Sequence, residues 1–275
     1  EFSATYRNRD HDFKYEVSAN LSTLRNRVTS LGFGTDSYIS GSYITKVGEE
    51  IGQFYGWVYE GIARTQEVLD NHATQEGAQI GDCLYKDVNN DGKVDSEDQV
   101  VLGSGMPKIN FGLNARFEYK RFDLSIATFG ALNYHVSDDI YNSLNSCYGW
   151  GNKEVGMLDA NRFSEDGSTY LSNVPRTYVT NSASLGWNDL FSSRKIQNAA
   201  YWKIANVELG YNFPDKWFDK YVSDVRFYIS AQNLHTFTGY HGYNVDYAGG
   251  TFTPGYNFCS YPTARTFMCG VHFTF

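Results

Sequence analysis

No run of about 18 apolar residues occurs in this 275-residue chain, which excludes an ordinary transmembrane helix. Proline is scarce, with five residues in all. The four cysteines, Cys83, Cys147, Cys259 and Cys269, show no CxxC or CxxH spacing, so a zinc site is not indicated. The first three lie in polar, loop-like sequence, where a disulfide in an oxidising compartment and free thiols both fit the pattern. Basic excess is missing too: a net charge of -8 leaves no general electrostatic footprint for nucleic acid. There is no G-x-S-x-G and no Ser/His/Asp or Cys/His arrangement, and His11, His72, His135, His235, His241 and His272 are scattered without metal-ligand spacing. Enzymatic chemistry is therefore not expected. A leader peptide and an initiator Met are also absent, and the polar opening Glu1-Phe2-Ser3 reads as a piece of a longer protein.

Aromatics and glycine are plentiful, with 22 Tyr, 19 Phe and 26 Gly. Aromatic side chains suit pleated surfaces and Gly suits turns, so the composition leans toward β structure. A mean hydropathy of -0.45 is compatible with a membrane crossed by strands, because each needs only about ten residues of alternating polarity.

Period-two alternation marks about seven strands. Over 11–31, Phe13, Tyr15, Val17, Ala19 and Leu21 oppose Lys14, Glu16, Ser18, Asn20 and Ser22. A second strand is predicted over 42–60, strongest at Ile51, Gln53, Tyr55, Trp57 and Tyr59. The third, 108–120, is the clearest: Ile109, Phe111, Leu113, Ala115, Phe117 and Tyr119 face one way, and Asn110, Gly112, Asn114, Arg116, Glu118 and Lys120 the other. A fourth follows a tight turn, with Phe122, Leu124 and Ile126 on its apolar face. The fifth, 199–213, sets Tyr201, Ala205, Val207, Leu209, Tyr211 and Phe213 against Trp202, Asn206, Glu208 and Asn212. A short amphipathic stretch, 215–221, leads to the sixth strand, 224–237, and the seventh covers 263–275. Long polar connections fill 61–106, 133–198 and 239–262, the second with a short helix predicted near 138–144.

One loop segment carries the densest chemistry. Counting from Asp87, the positions 1, 3, 5, 7, 9 and 12 are Asp87, Asn89, Asp91, the carbonyl of Lys93, Asp95 and Asp98, with Gly92 at 6. That is the ligand order of an EF-hand-type Ca²⁺ loop, except that Asp98 replaces the longer bidentate Glu. An ion there would order the loop rather than do chemistry. The plain alternative is a solvated Asp/Asn/Gly turn. In the third connection Tyr240, Tyr243, Tyr247, Phe252, Tyr256 and Phe258 crowd together, and Trp150, Trp187, Tyr141 and Tyr148 punctuate the second. Such rings suit substrate or partner contact, and equally loop packing or an aromatic girdle.

Strands of about ten to fifteen residues exceed the five or six usual in soluble sheets. Short and long connections alternate, as in outer-membrane barrels with short turns at one end and long external loops at the other. An odd strand count points to part of a larger barrel, since bacterial single-chain barrels are even.

The residues that carry a family resemblance are Gly56-Trp57-Val58-Tyr59-Glu60-Gly61-Ile62, Gly81-Asp82 running into Tyr85-Lys86-Asp87-Val88-Asn89-Asn90-Asp91-Gly92, and Met106-Pro107-Lys108-Ile109-Asn110-Phe111-Gly112-Leu113-Asn114. Ala200 to Tyr211, Ser230-Ala231-Gln232-Asn233-Leu234, Tyr261 to Phe267 and the terminal Phe275 continue the series. In this order they resemble the C-terminal barrel region of SusC/RagA-type TonB-dependent outer-membrane transporters. The resemblance implies an all-β fold, the C-terminal portion of a 22-stranded antiparallel transmembrane β-barrel with long extracellular loops, whose plug and early strands lie outside this sequence. It implies a SusD-like surface lipoprotein as partner, TonB as the source of driving force, oligosaccharide or peptide as cargo, and outer-membrane lipid as surroundings. The phenyl ring of Phe275 resembles the C-terminal aromatic read during outer-membrane assembly; Trp202 departs from the commonest family residue. Two other classes fit parts of the chain: a secreted carbohydrate-binding β-sandwich with a structural calcium, and a glycoside hydrolase.

Overall fold

The computed structural model describes residues 1–148, 151–177, 183–214, 224–246 and 249–274. Its frame is one antiparallel sheet of seven strands. These are β1 (Phe2–Asn8), β2 (Phe13–Thr23), β3 (Ile109–Tyr119), β4 (Phe122–Leu132), β5 (Tyr201–Asn212), β6 (Asp224–Thr238) and β7 (Thr266–Thr274). Each strand pairs with its neighbours in chain order, so the sheet is a meander. Among the described residues, β1 and β7 leave their outer edges unpaired.

The register carries the alternation across the whole sheet. Val17, Ala115, Ile126, Val207, Ala231 and Phe267 stand side by side in one row, and Tyr15, Phe117, Leu124, Leu209, Ile229 and Cys269 in another. Because side chains alternate, the opposite face collects Glu16, Arg116, Ser125, Glu208 and Ser230, then Ser18, Asn114, Asn206 and Gln232. Here Arg226 bridges Asp123, through Nε at 3.0 Å and Nη2 at 2.5 Å, and Glu208 at 2.8 Å. Gly210 lies beneath this triad, and a Cβ there would stand 2.4 Å from both Arg226 and Asp123.

Among the described residues no second sheet covers the apolar face: Leu113, Leu209, Ile229, Val271 and Phe273 are all exposed. That arrangement removes the β-sandwich, whose apolar faces pack on each other. Rings concentrate in two bands. Phe111, Trp202 and Phe237 lie toward one end, with Trp202 stacked on Phe237 at 5.3 Å. Phe13, Tyr119, Phe122, Tyr211 and Phe227 lie toward the other. From Trp202 to Tyr211, about 3.3 Å per residue and a tilt of about 40° give a height of roughly 23 Å between the bands.

Connection lengths sort by end. Residues 9–12, 120–121 and 213–223 join strands at one end, and 24–108, 133–200 and 239–265 at the other. Two expectations need correction. The segment 42–60 is not part of the wall: Tyr43–Lys46 and Gln53–Gly56 join Ser37–Ser40 and Val100–Ser104 in a separate four-stranded sheet. The strand counted in its place is β1, read as loop-like sequence though Phe2, Ala4 and Tyr6 alternate with Ser3, Thr5 and Arg7. Alternation reports that one side is covered, not what covers it; Phe54 is fully buried among loop residues. The second connection does open with a helix, Asp139–Leu144, capped by Asp138 accepting from the Tyr141 N–H at 2.9 Å.

The facing of β5 also needs correction. Its pairing shifts at Ala205, which has no partner on β4, and on β6 the residues Asn233 and Leu234 fall opposite it. An extra residue inverts the phase beyond it. Trp202 and Ile204 therefore share the apolar face with Val207, and Tyr201 and Lys203 turn to the polar side. The amphipathic stretch 215–221, together with Trp150, Tyr247 and Phe275, lies outside the described residues.

Candidate functional site

The three long connections fold together at one end of the sheet. The first contributes Cys83–Tyr85, paired with Tyr59–Ile62, and then the acidic loop. Tyr85 and Val94 are buried beside Trp57, Tyr59 and Trp187, so both ends of the acidic loop are anchored in a small aromatic core. Its turn uses left-handed backbone at Asn90 (φ 60) and Gly92 (φ 86). Asn and Gly enter that region at least cost. The Asp87 carboxylate accepts from the N–H of Asn90 at 2.6 Å and of Gly92 at 2.8 Å. Asn89 accepts from Asp91 N–H, Asp91 from Lys93 N–H, and Asp95 from Glu97 N–H. Asp98, fully buried, accepts from Val88 at 2.7 Å, Asn89 at 3.3 Å and Asp95 at 2.9 Å. Burial alone would raise the Asp98 carboxyl, but the N–H groups of Asp95, Val88 and Asn89 outweigh it and hold it below the usual aspartate value.

Both Asp98 oxygens accept from the backbone, as both Asp87 oxygens do, so the two carboxylates fasten the loop on itself at its two ends. Among the described residues, no three His, Cys, Asp or Glu side chains are grouped to hold a metal. The candidate oxygen donors of the loop are Asp87, Asn89, Asp91, the Lys93 carbonyl, Asp95 and Asp98. Their chemistry, all hard oxygen, fits Ca²⁺. Asn89, Asp91 and Asp95 are exposed, so an ion would have to draw their oxygens inward.

Behind this loop the first and second connections are joined by a buried carboxylate. Asp82 accepts a two-pronged Arg176, at 3.0 and 2.9 Å, the Asn188 amide at 2.8 Å and the Gln79 N–H at 2.9 Å. Asn188 also accepts from the Cys83 N–H at 2.7 Å, and its neighbour Asp189 from the Cys147 N–H at 3.1 Å. All four cysteines are unbonded thiols. Burial pushes Cys83 up to about 12 and Cys147 up to about 11, so neither is a nucleophile.

The aromatics of the third connection divide. Tyr240, 5% exposed, packs with Tyr134, Val136 and Ala199; its hydroxyl bonds the Asp138 carboxylate and accepts from the Asn257 amide at 2.7 Å. It holds the second and third connections together. Tyr243 is 64% exposed and Tyr256 39%, with Phe252 and Phe258 also open. Trp187 donates to the Glu76 carbonyl at 2.8 Å, and Tyr141 stacks on His241 at 6.0 Å.

The structure adds a site that alternation did not indicate. A cavity of about 870 Å³ opens where the third connection folds back against the polar face of β3, β4 and β5. Asn110, Phe129 and Tyr201 line its wall side, and Met106, Asp246 and the Gly249-Gly250 backbone its loop side. Lys203 is buried behind this lining, paired with Asp246 and lying 5.8 Å from the Phe129 ring centre. The bulge that inverts β5 is what turns Tyr201 into this space and Lys203 to the same polar side, so a reading of unbroken alternation misplaces Tyr201.

No protein-family model matches the chain. It is 29% identical over 294 aligned positions, all of its length, to TonB-dependent receptor P3 of Formosa agariphila, of which it covers 28%. It is 24% identical over 270 positions, 96% of its length, to TonB-dependent receptor SusC of Bacteroides thetaiotaomicron, of which it covers 25%. Among solved structures, the RagAB peptide transporter matches 99% of this chain and 28% of its own at a TM-score of 0.78 and 20% identity. The same importer in its closed-closed state matches with a TM-score of 0.74. The chain is thus similar in sequence to TonB-dependent receptors and shares the fold of part of the RagAB transporter over nearly its whole length, and it spans little more than a quarter of those relatives. They are receptors and transporters, not enzymes, which sets aside the glycoside hydrolase.

Proposed function

We propose that this chain is the C-terminal wall and outer mouth of a SusC-like importer in the Gram-negative outer membrane. The single observation that carries this reading is the one-sided sheet. Its apolar face is bare and banded by rings at bilayer spacing, its polar face is charged, and every long connection leaves from the same end. The apolar face would meet lipid, and the polar face would line the lumen of a 22-stranded barrel. The joined connections would form the external mouth, and a SusD-like lipoprotein would dock there, with exposed Tyr243 and Tyr256 available to it. Trp150 and Tyr247 belong to the same proposal by sequence position. Cargo, an oligosaccharide or peptide, would pass the cavity at Phe129, and TonB would act through parts of the protein beyond this segment.

The test is fractionation of the intact protein with protease shaving of cells. It should stay in the membrane after carbonate washing, and cleavage should fall within 24–108, 133–200 and 239–265. Cleavage at 9–12 or 120–121 instead would invert the orientation. Phe129→Ala should slow cargo uptake while leaving the amount of barrel unchanged.

The acidic loop would hold Ca²⁺ through Asp87, Asn89, Asp91, the Lys93 carbonyl, Asp95 and Asp98, with the two terminal carboxylates also fixing the backbone. The Trp57 indole, which donates to the Asp95 carbonyl at 3.0 Å, is placed to sensitise a bound lanthanide. Terbium luminescence excited through tryptophan should appear and be displaced by Ca²⁺. Its persistence in Asp91→Ala would remove the assignment.

A further inference from the structure

The apolar face carries a recess that neither the alternation nor the fold requires. It lies between β5, β6 and β7, with Leu209, Ile229, Phe267 and Cys269 around it and a volume of about 580 Å³. Its cause is local. Ala231 is a small residue between Val207 and Phe267 on the neighbouring strands. Just above it β6 carries the Asn233-Leu234 irregularity, with Asn233 at φ 52. Such bulges increase twist and splay the neighbouring side chains.

The rim of this recess has one charge. The Asn233 amide donates to the Ala264 carbonyl at 3.0 Å, which ties the approach to β7 against the bulge. The next residue, Arg265, is exposed and makes no ion pair or hydrogen bond among the described residues. The outward-facing positions of β4 to β7 between the two ring bands include no carboxylate. An unneutralised guanidinium two residues from Phe267, beside an apolar slot, is complementary to an anionic headgroup above a hydrocarbon chain.

We propose that this recess binds one phosphorylated acyl lipid, with the chain against Ala231 and the headgroup phosphate on Arg265. The proposal rests on the reading of this face as bilayer-facing. Its support is the continuity of the recess with the apolar band and the unmatched charge at its rim.

Native mass spectrometry of the intact, delipidated transporter tests it, with dioleoyl phosphatidylglycerol or dioleoyl phosphatidylcholine added back in detergent. One retained phosphatidylglycerol per protein is expected, favoured over phosphatidylcholine by about fivefold. Arg265→Ala should abolish the preference. Ala231→Phe should remove the adduct of either lipid, with Ala231→Leu as a milder filling, and unchanged heat-dependent gel mobility should show that all three variants are folded. No adduct, no headgroup preference, or adducts unaltered by the variants would each overturn the lipid site. Loss of the wild-type protein from carbonate-washed membranes would instead overturn the functional reading beneath it.

Discussion

Leu113 and Asn114 are adjacent on β3, and the same substitution should have opposite consequences at the two. Leu113 is 42% exposed on the apolar face, between Ala19 on β2 and Thr128 on β4. Asn114 lies on the polar face between Ser18 and Ala127. An arginine facing lipid costs about 2–4 kcal/mol at the midplane and about 0–1 near the interfaces. Leu113 stands one row from the centre of the band, so Leu113→Arg should cost about 2.5 kcal/mol, roughly a 70-fold loss in the folding equilibrium. Tyr119→Arg, in the ring band by the short turns, should fall at the interfacial end of that range. Asn114→Arg should stay within about 0.5 kcal/mol. Guanidinium titration of the intact transporter in phosphatidylcholine vesicles, read by tryptophan fluorescence, measures all three. If Asn114→Arg proved as costly as Leu113→Arg, the two faces would be inverted and the lumen assignment with them.

Three further outcomes follow from particular contacts. Arg226→Ala leaves Asp123 and Glu208 facing each other without a cation; with the group a quarter exposed, the loss should be about 2 kcal/mol in the same titration. Asp82→Ala strands Arg176 and the Asn188 amide in the loop joint, so trypsin should cut within 133–200 much faster while the barrel keeps its heat-dependent mobility. Asp98 has a folded pKa below its unfolded one, so its contribution is complete above the ordinary aspartate value and disappears as pH falls through the folded pKa. Hydrogen exchange at Val88 and Asn89, corrected for intrinsic rate, should therefore rise as pH drops below the ordinary aspartate range. In Asp98→Asn it should already be raised at neutral pH.

The wall was legible because five strands alternate over nine to fifteen residues, a length that the loop strands do not reach. β1 escaped because seven residues with one charge look like a tail until β2 is seen beside them. The stretch 42–60 misled for the converse reason: loop strands packed on Phe54 obey the same period as strands facing lipid. The acidic loop was readable as a local series, since its hydrogen bonds span at most ten residues. The cavity was not, because Met106, Phe129, Tyr201 and Asp246 meet only through the register of three strands and a returning loop. Its one sequence-level trace, the irregularity at Ala205, carries no residue-type signal.

Each long excursion departs from one strand of the sheet and comes back on the strand beside it. Lengthening or replacing such a segment leaves the ladder bonds beneath it untouched. Change in what the outer surface recognises can therefore accumulate without reopening the problem of how the cylinder is built, and diversity should concentrate in those three excursions while the ladders stay constant.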